Sequence, residues 1–245
     1  MFYLYTHKSR LDREMSLSFC HSMITGKDKL SDIISLYIDL LPIVDRLGLS
    51  VQIGEKSIAE ACRDTGTSLH FALEVLNTFA SAGYFPKPED IGLEELIAFL
   101  VGTHRYHEEV TIPRLNGLIR QLKQCMPGER LPVVTEKYLH EYIDNLLKHI
   151  DFEEKEIFPL VGDTSGTINQ SRLACLKQLF HQHTNVEQEL SDLKTIIIRH
   201  IPAGVDRPVI HDLLHTLSHF EKEQIDHARF EDKILIPKLL ALYAI

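Results

Sequence analysis

From residue 93 onward the apolar side chains recur every three or four positions, and strand-like alternation is essentially missing. That period predicts long helices at about 93–124, 134–161, 169–199 and 208–242. Three breaks separate them: Met126-Pro-Gly-Glu129, Gly162-Asp-Thr-Ser-Gly166 and Pro202-Ala-Gly-Val-Asp206. Long helices with short connections become antiparallel neighbours, so the pattern predicts an up-down-up-down four-helix bundle. Upstream, Leu30, Ile33, Ile34, Leu36, Tyr37, Leu40, Leu41 and Val44 also keep helical spacing, with Pro42 bending or restarting that helix. Ser57-Ile-Ala-Glu60 is a capping box that opens a short helix to about Asp64. A turn at Gly66 leads to a second helix from about Ser68 to Ala82, and Gly83 with Pro86 and Pro88 reads as a linker. The expected fold is all-α: a small helical N-terminal domain over 1–88, then the bundle over 89–245. Residues 1–28 show no clear periodicity.

Composition narrows the partners. Apolar residues make up 44% of the 245, enough to bury a core. Asp and Glu outnumber Lys and Arg by 35 to 26, and a net charge of −9 disfavours nucleic acid, which needs a basic face. Cys20, Cys62, Cys125 and Cys175 are scattered, which points to a reducing compartment and away from a disulfide framework or a thiolate zinc site. The N-terminus lacks the apolar core of a signal peptide, and no apolar run approaches transmembrane length. A cytoplasmic location without membrane attachment is the expectation. Histidine is the outlier, with 11 of 14 at or after residue 104.

Those histidines carry the candidate chemistry. His149-Ile-Asp-Phe-Glu153 and His227-Ala-Arg-Phe-Glu231 share the form His-x-x-x-Glu, each with a proline six residues after the glutamate. Side chains four apart on a helix share a face, so each stretch offers one imidazole and one carboxylate to a common point. In an antiparallel pair, residues at one level are equidistant from the intervening turn. His104 and His149 have their midpoint at 126–127, His149 and His183 at 166, and His183 and His227 at 205. Each midpoint falls in one of the three breaks, so four histidines are expected at one level.

Four imidazoles with two carboxylates suit iron, manganese or zinc and do not suit calcium or magnesium. Carboxylates bridge the ions of two-metal sites, and Glu153 and Glu231 are the natural bridges. His104 and His149 would serve one metal, and His183 and His227 the other. A solvent-derived oxo or hydroxo bridge leaves room for one small ligand.

The same residues resemble the hemerythrin-like di-iron proteins, and most of all the iron-sulfur cluster repair proteins. The resemblance lies in His104-Arg-Tyr-His107, His149-x-x-x-Glu153 with Ile157-Phe158-Pro159, His183, and His227-x-x-x-Glu231 with Ile236-Pro237, over about 93–240. It implies two non-haem iron ions, oxo- or hydroxo- and carboxylate-bridged, and a diatomic ligand, nitric oxide or oxygen. It further implies protection or repair of iron-sulfur clusters in client proteins under nitrosative or oxidative stress, with redox activity toward nitric oxide, oxygen or peroxide. The alternative is a di-iron sensor or binding module without turnover. Two departures matter. Oxygen-carrying hemerythrins place a further histidine four residues after the third-helix ligand, where this chain has Glu187. The repair proteins carry adjacent cysteines in the N-terminal domain, whereas Val51-Gln-Ile-Gly-Glu-Lys-Ser57 has none.

Other residues compete. His107 rivals His104, His181 rivals His183, and His211, His215, His219 and Glu223 continue the His227 face as either a path or a solvated stripe. Pro159 and Pro237 should kink the ligand helices by freeing the carbonyls of Lys155 and Lys233. The Ser57–Asn77 stretch has the form of a helix-turn-helix. Its second helix carries no Lys or Arg, so packing or dimerisation, giving a homodimer, outranks DNA binding.

Overall fold

The computed structural model describes residues 23–49, 54–81, 83–162, 189–202 and 207–243. Every regular element among them is helical, apart from an isolated antiparallel bridge between Lys29 and Ser57. The chain divides into two compact units, Met1–Phe85 and Pro86–Ile245.

The first unit holds α1 (Leu30–Leu36), a 3-10 turn (Ile38–Leu40), α2 (Leu41–Arg46), α3 (Ile58–Thr65) and α4 (Leu69–Ala80). Pro42 sits in the first turn of α2, where a missing N–H costs nothing, so the helix restarts there. The capping box forms: Ser57 Oγ accepts from the Glu60 N–H, and the Glu60 carboxylate accepts from the Ser57 N–H at 2.8 Å. Gly66 ends α3 at φ 76°, a left-handed geometry that favours glycine. Ser68 then caps α4 by accepting from the Phe71 N–H.

The second unit holds α5 (Leu93–Tyr106), α6 (Ile112–Cys125), α7 (Arg130–Phe152), α8 (189–199), α9 (Arg207–Phe230) and α10 (Ile236–Leu242). α7 begins before the expected 134, because Pro132 lies in its first turn, where the N–H groups have no intrahelical acceptor. Gly128, at φ 81°, makes the turn between α6 and α7. Of the helix expected over 169–199, residues 169–188 lie outside the described residues. So do His181, His183, Glu187 and most of the breaks at Gly162–Gly166 and Pro202–Asp206.

One core cluster draws on four helical segments: Leu115 and Leu122 of α6, Leu139 and Leu146 of α7, Leu190 and Leu193 of α8, and Leu213 and Leu217 of α9. Burying each such side chain contributes about 1.5–3 kcal/mol. The end beyond this core is tied down by polar contacts. Tyr243 O–H donates to the Leu160 carbonyl at 2.8 Å, and Lys238 Nζ donates to the carbonyls of Pro88 and Ile91.

Among the described residues, three π-turns interrupt the long helices, at His107–Thr111, Glu153–Ile157 and Glu231–Leu235. Each is followed by a proline: Pro113, Pro159 or Pro237. The residue before the proline donates its N–H to a carbonyl five back: Ile112 to His107, Phe158 to Glu153, and Ile236 to Glu231. In an α-helix a proline ring clashes with the carbonyl four residues back. The wider π-turn takes in one extra residue and relieves that clash.

Candidate metal centre

The π-turns fall at the ligands. Glu153 and Glu231 are each the first residue of one, six positions before its proline, and His107 opens the third. Each turn thus sets where α7, α9 or α5 ends and which side chain enters the interior there.

Glu153 and Glu231 are 0% exposed, and His104, His149 and His227 are also buried. His149 Nε2 lies 2.9 Å from Glu153 Oε1, and His227 Nε2 lies 3.0 Å from Glu231 Oε1. These are the two four-residue steps of the sequence motif, each made on one helix. Across helices, His104 Nε2 is 3.2 Å from Glu153 Oε2 and 3.2 Å from His227 Nε2. His104, Glu153, His227 and Glu231 each offer one ligand atom, and these four atoms all lie within 4.8 Å of one another. His149 joins this group through Glu153.

The spacing fits metal ligation. Two ligands held about 2.1 Å from one ion at a right angle stand about 3 Å apart, and opposite ligands about 4.2 Å. The separations of 2.9–3.2 Å are those of neighbouring ligands. The donors are imidazole nitrogens and carboxylate oxygens, a set that zinc, iron and manganese accept. Charge points the same way. Two wholly buried carboxylates beside neutral imidazoles would carry uncompensated negative charge, which is costly in a low-dielectric interior. A dication or imidazole protonation can supply the balance. The buried His/Glu group can therefore hold a metal ion.

Of the rival pair on the first rod, His104 lies in the group. His107 stands beside α9 one turn further along, with Nδ1 3.9 Å from Glu223 Oε2 and 3.4 Å from Thr111 Oγ1. Its ring meets Phe220 edge-on at 5.0 Å. His211 and His215 are exposed, so that end of the row on α9 is solvated. His104 sits with His227 as well as with the Glu153 of the His149 motif, so its company crosses the expected division into His104/His149 and His183/His227 pairs. His183 lies outside the described residues.

Of three further neighbours, Glu154 carries no sequence signal, whereas Phe158 lies in the Ile157-Phe158-Pro159 motif and Glu223 on the His227 face. Glu154 Oε1 lies 2.9 Å from His104 Nδ1. Phe158 stacks parallel to the His104 ring, 5.7 Å between centroids at 10°. Buried Glu223 faces His107. A signal existed for His107: Pro113 follows it by six residues, as Pro159 follows Glu153 and Pro237 follows Glu231.

Burial works to lower the His104 pKa, but the hydrogen bond and charge of Glu153, aided by Glu154 and Glu231, outweigh it and raise it above 6.5. A raised folded-state value means the contribution is fully present below the unfolded value and fades as pH rises through the folded one. In the metal-free protein, the stability gap between wild type and His104→Ala should be widest below about pH 6.5 and shrink above it. Urea unfolding at several pH values checks this; a gap that grows with pH contradicts it.

No protein-family model matches this chain, and no curated protein matches it. Among the described residues, no helix is long and apolar enough to cross a membrane.

Proposed function

We propose that the buried group is a non-haem di-iron centre in a hemerythrin-like four-helix bundle, and that the protein defends iron-sulfur clusters against nitrosative or oxidative stress. The observation that carries this reading is the convergence of Glu153 and Glu231, from two helices, on imidazoles from three, at neighbouring-ligand spacing and out of water. Support for two ions comes from the carboxylates. Each has two oxygens, and both oxygens of Glu153 face an imidazole, Oε1 toward His149 and Oε2 toward His104. A carboxylate so placed suits the bridging role that two-metal sites require. His183, outside the described residues, completes the ligand set in this reading.

The chain's own residues hold the site, exclude water from it and cap it. Glu153 and Glu231 bring the negative charge, and the Phe158 ring covers His104. When bound, iron supplies a redox couple and affinity for nitric oxide or oxygen. The repair role rests on the family resemblance of the ligand motifs, with iron-sulfur proteins as clients.

Metal analysis of protein purified without oxygen, with its visible spectrum, tests the reading. About two irons per chain are expected for a two-metal site, with near-ultraviolet absorption that bleaches on reduction. A protein that acquires zinc alone and never iron would reject the redox function.

A further inference from the structure

Glu153 and Glu154 are consecutive, yet their carboxylates reach opposite sides of one imidazole. Glu153 Oε2 is 3.2 Å from Nε2 of His104, and Glu154 Oε1 is 2.9 Å from Nδ1. Side chains next to each other on a regular α-helix diverge by about 100°. These two open the π-turn at Glu153–Ile157, whose wider winding keeps them closer in direction. Phe158, the residue whose N–H closes that turn, stacks on the same ring. The irregular turn that follows α7 therefore holds the His104 ring at both nitrogens and on a face.

The two carboxylates differ in setting. Glu153 is wholly buried among the candidate ligands, whereas the Glu154 side chain is 41% exposed. A carboxylate accepts hydrogen bonds and does not donate them, so Nδ1 must carry the hydrogen that Glu154 receives. Nε2 is then the nitrogen aimed at His227 and Glu153. Metal-binding histidines are typically oriented by an acceptor on the nitrogen away from the ion.

We propose that Glu154 is the positioning residue of the centre: it takes the Nδ1 hydrogen of His104 and so turns Nε2 toward the metal. This rests on the reading of the buried group as a metal site. Glu154 touches no metal itself, and it acts from the rim, reaching the interior through His104.

The test compares Glu154→Ala and Glu154→Gln with wild type in two ways. Zinc affinity is measured by chelator competition, and the Nδ1 proton of His104 is followed by NMR in metal-free protein. Glu154→Ala should weaken zinc binding by about 10–100-fold and abolish the downfield, exchange-protected Nδ1 proton signal. Glu154→Gln keeps an oxygen acceptor, so it should retain the signal and bind within a few-fold of wild type. Glu156→Ala, on the exposed side of the same turn, should change neither. Unchanged zinc affinity and an unchanged proton signal in Glu154→Ala would overturn the proposal. If wild type binds no zinc while the signal is still lost in Glu154→Ala, the metal reading falls and the grip on His104 stands.

Discussion

Glu231→Ala is expected to bind metal about 100–4,000-fold more weakly than wild type and to lose metal during purification. The size follows from the cost of removing one member of a buried charged group, about 3–5 kcal/mol, with each 1.4 kcal/mol equal to about a factor of ten. Glu231 is wholly buried at the head of its π-turn, and its carboxylate stands 3.0 Å from the His227 imidazole. Alanine at this position removes the charge and leaves His227 facing an apolar methyl. Glu153→Ala should do at least as much harm, because its two oxygens face imidazoles from two helices. Glu156→Ala is the matched control on an exposed position. Chelator competition gives the affinities, and elemental analysis gives the stoichiometry. Wild-type metal content in both glutamate variants would remove these carboxylates from the ligand set.

The second large effect is on stability. A ligand that binds only the folded chain adds about 4.1 kcal/mol at 1,000 times its Kd. For a unit of about 150–250 residues, each kcal/mol shifts Tm by about 2–4 °C, so loading should raise Tm by about 8–16 °C. The gain should shrink as pH falls below about 6.5, the usual histidine value, since imidazoles must be deprotonated to bind metal. Protonation of His104 is favoured in the metal-free protein, so acid competes directly at the centre. Scanning calorimetry with and without metal at pH 7.5 and pH 5 measures both parts. Equal Tm values with and without metal at pH 7.5 would contradict them.

These effects trace to features that were readable to different degrees. The His149/Glu153 and His227/Glu231 steps were plain, because two side chains four apart on a helix must share a face whatever the tertiary structure. The turn near Met126 was also plain, since Pro127 and Gly128 stop α6 and Gly128 takes a left-handed φ. The capping box at Ser57 and Glu60 was readable for the same local reason. The π-turns were not. A single inserted residue leaves the apolar period almost unchanged over a helix of this length, and only the prolines betray it. Pro159 and Pro237 suggested irregular winding, and the backbone meets each proline with a widened π-turn. Pro113 stands in the same relation to His107.

Midpoint arithmetic placed His104 at the right height and said nothing of azimuth. The level of a residue follows from counting along the chain, but its neighbours depend on how each rod is rotated. Rotation is what brings His104 to His227 and Glu153. Glu154 was hidden for a related reason. Beside a ligand glutamate it reads as an ordinary surface acid, and only the altered winding of the turn carries it to His104 Nδ1.

The most direct measurement is an anomalous difference map at the iron edge from crystals of iron-loaded protein. The account predicts peaks among His104, His149, Glu153, His227 and Glu231, within ligand distance of both glutamates. Peaks at the surface histidines His211 and His215, with none between Glu153 and Glu231, would contradict it.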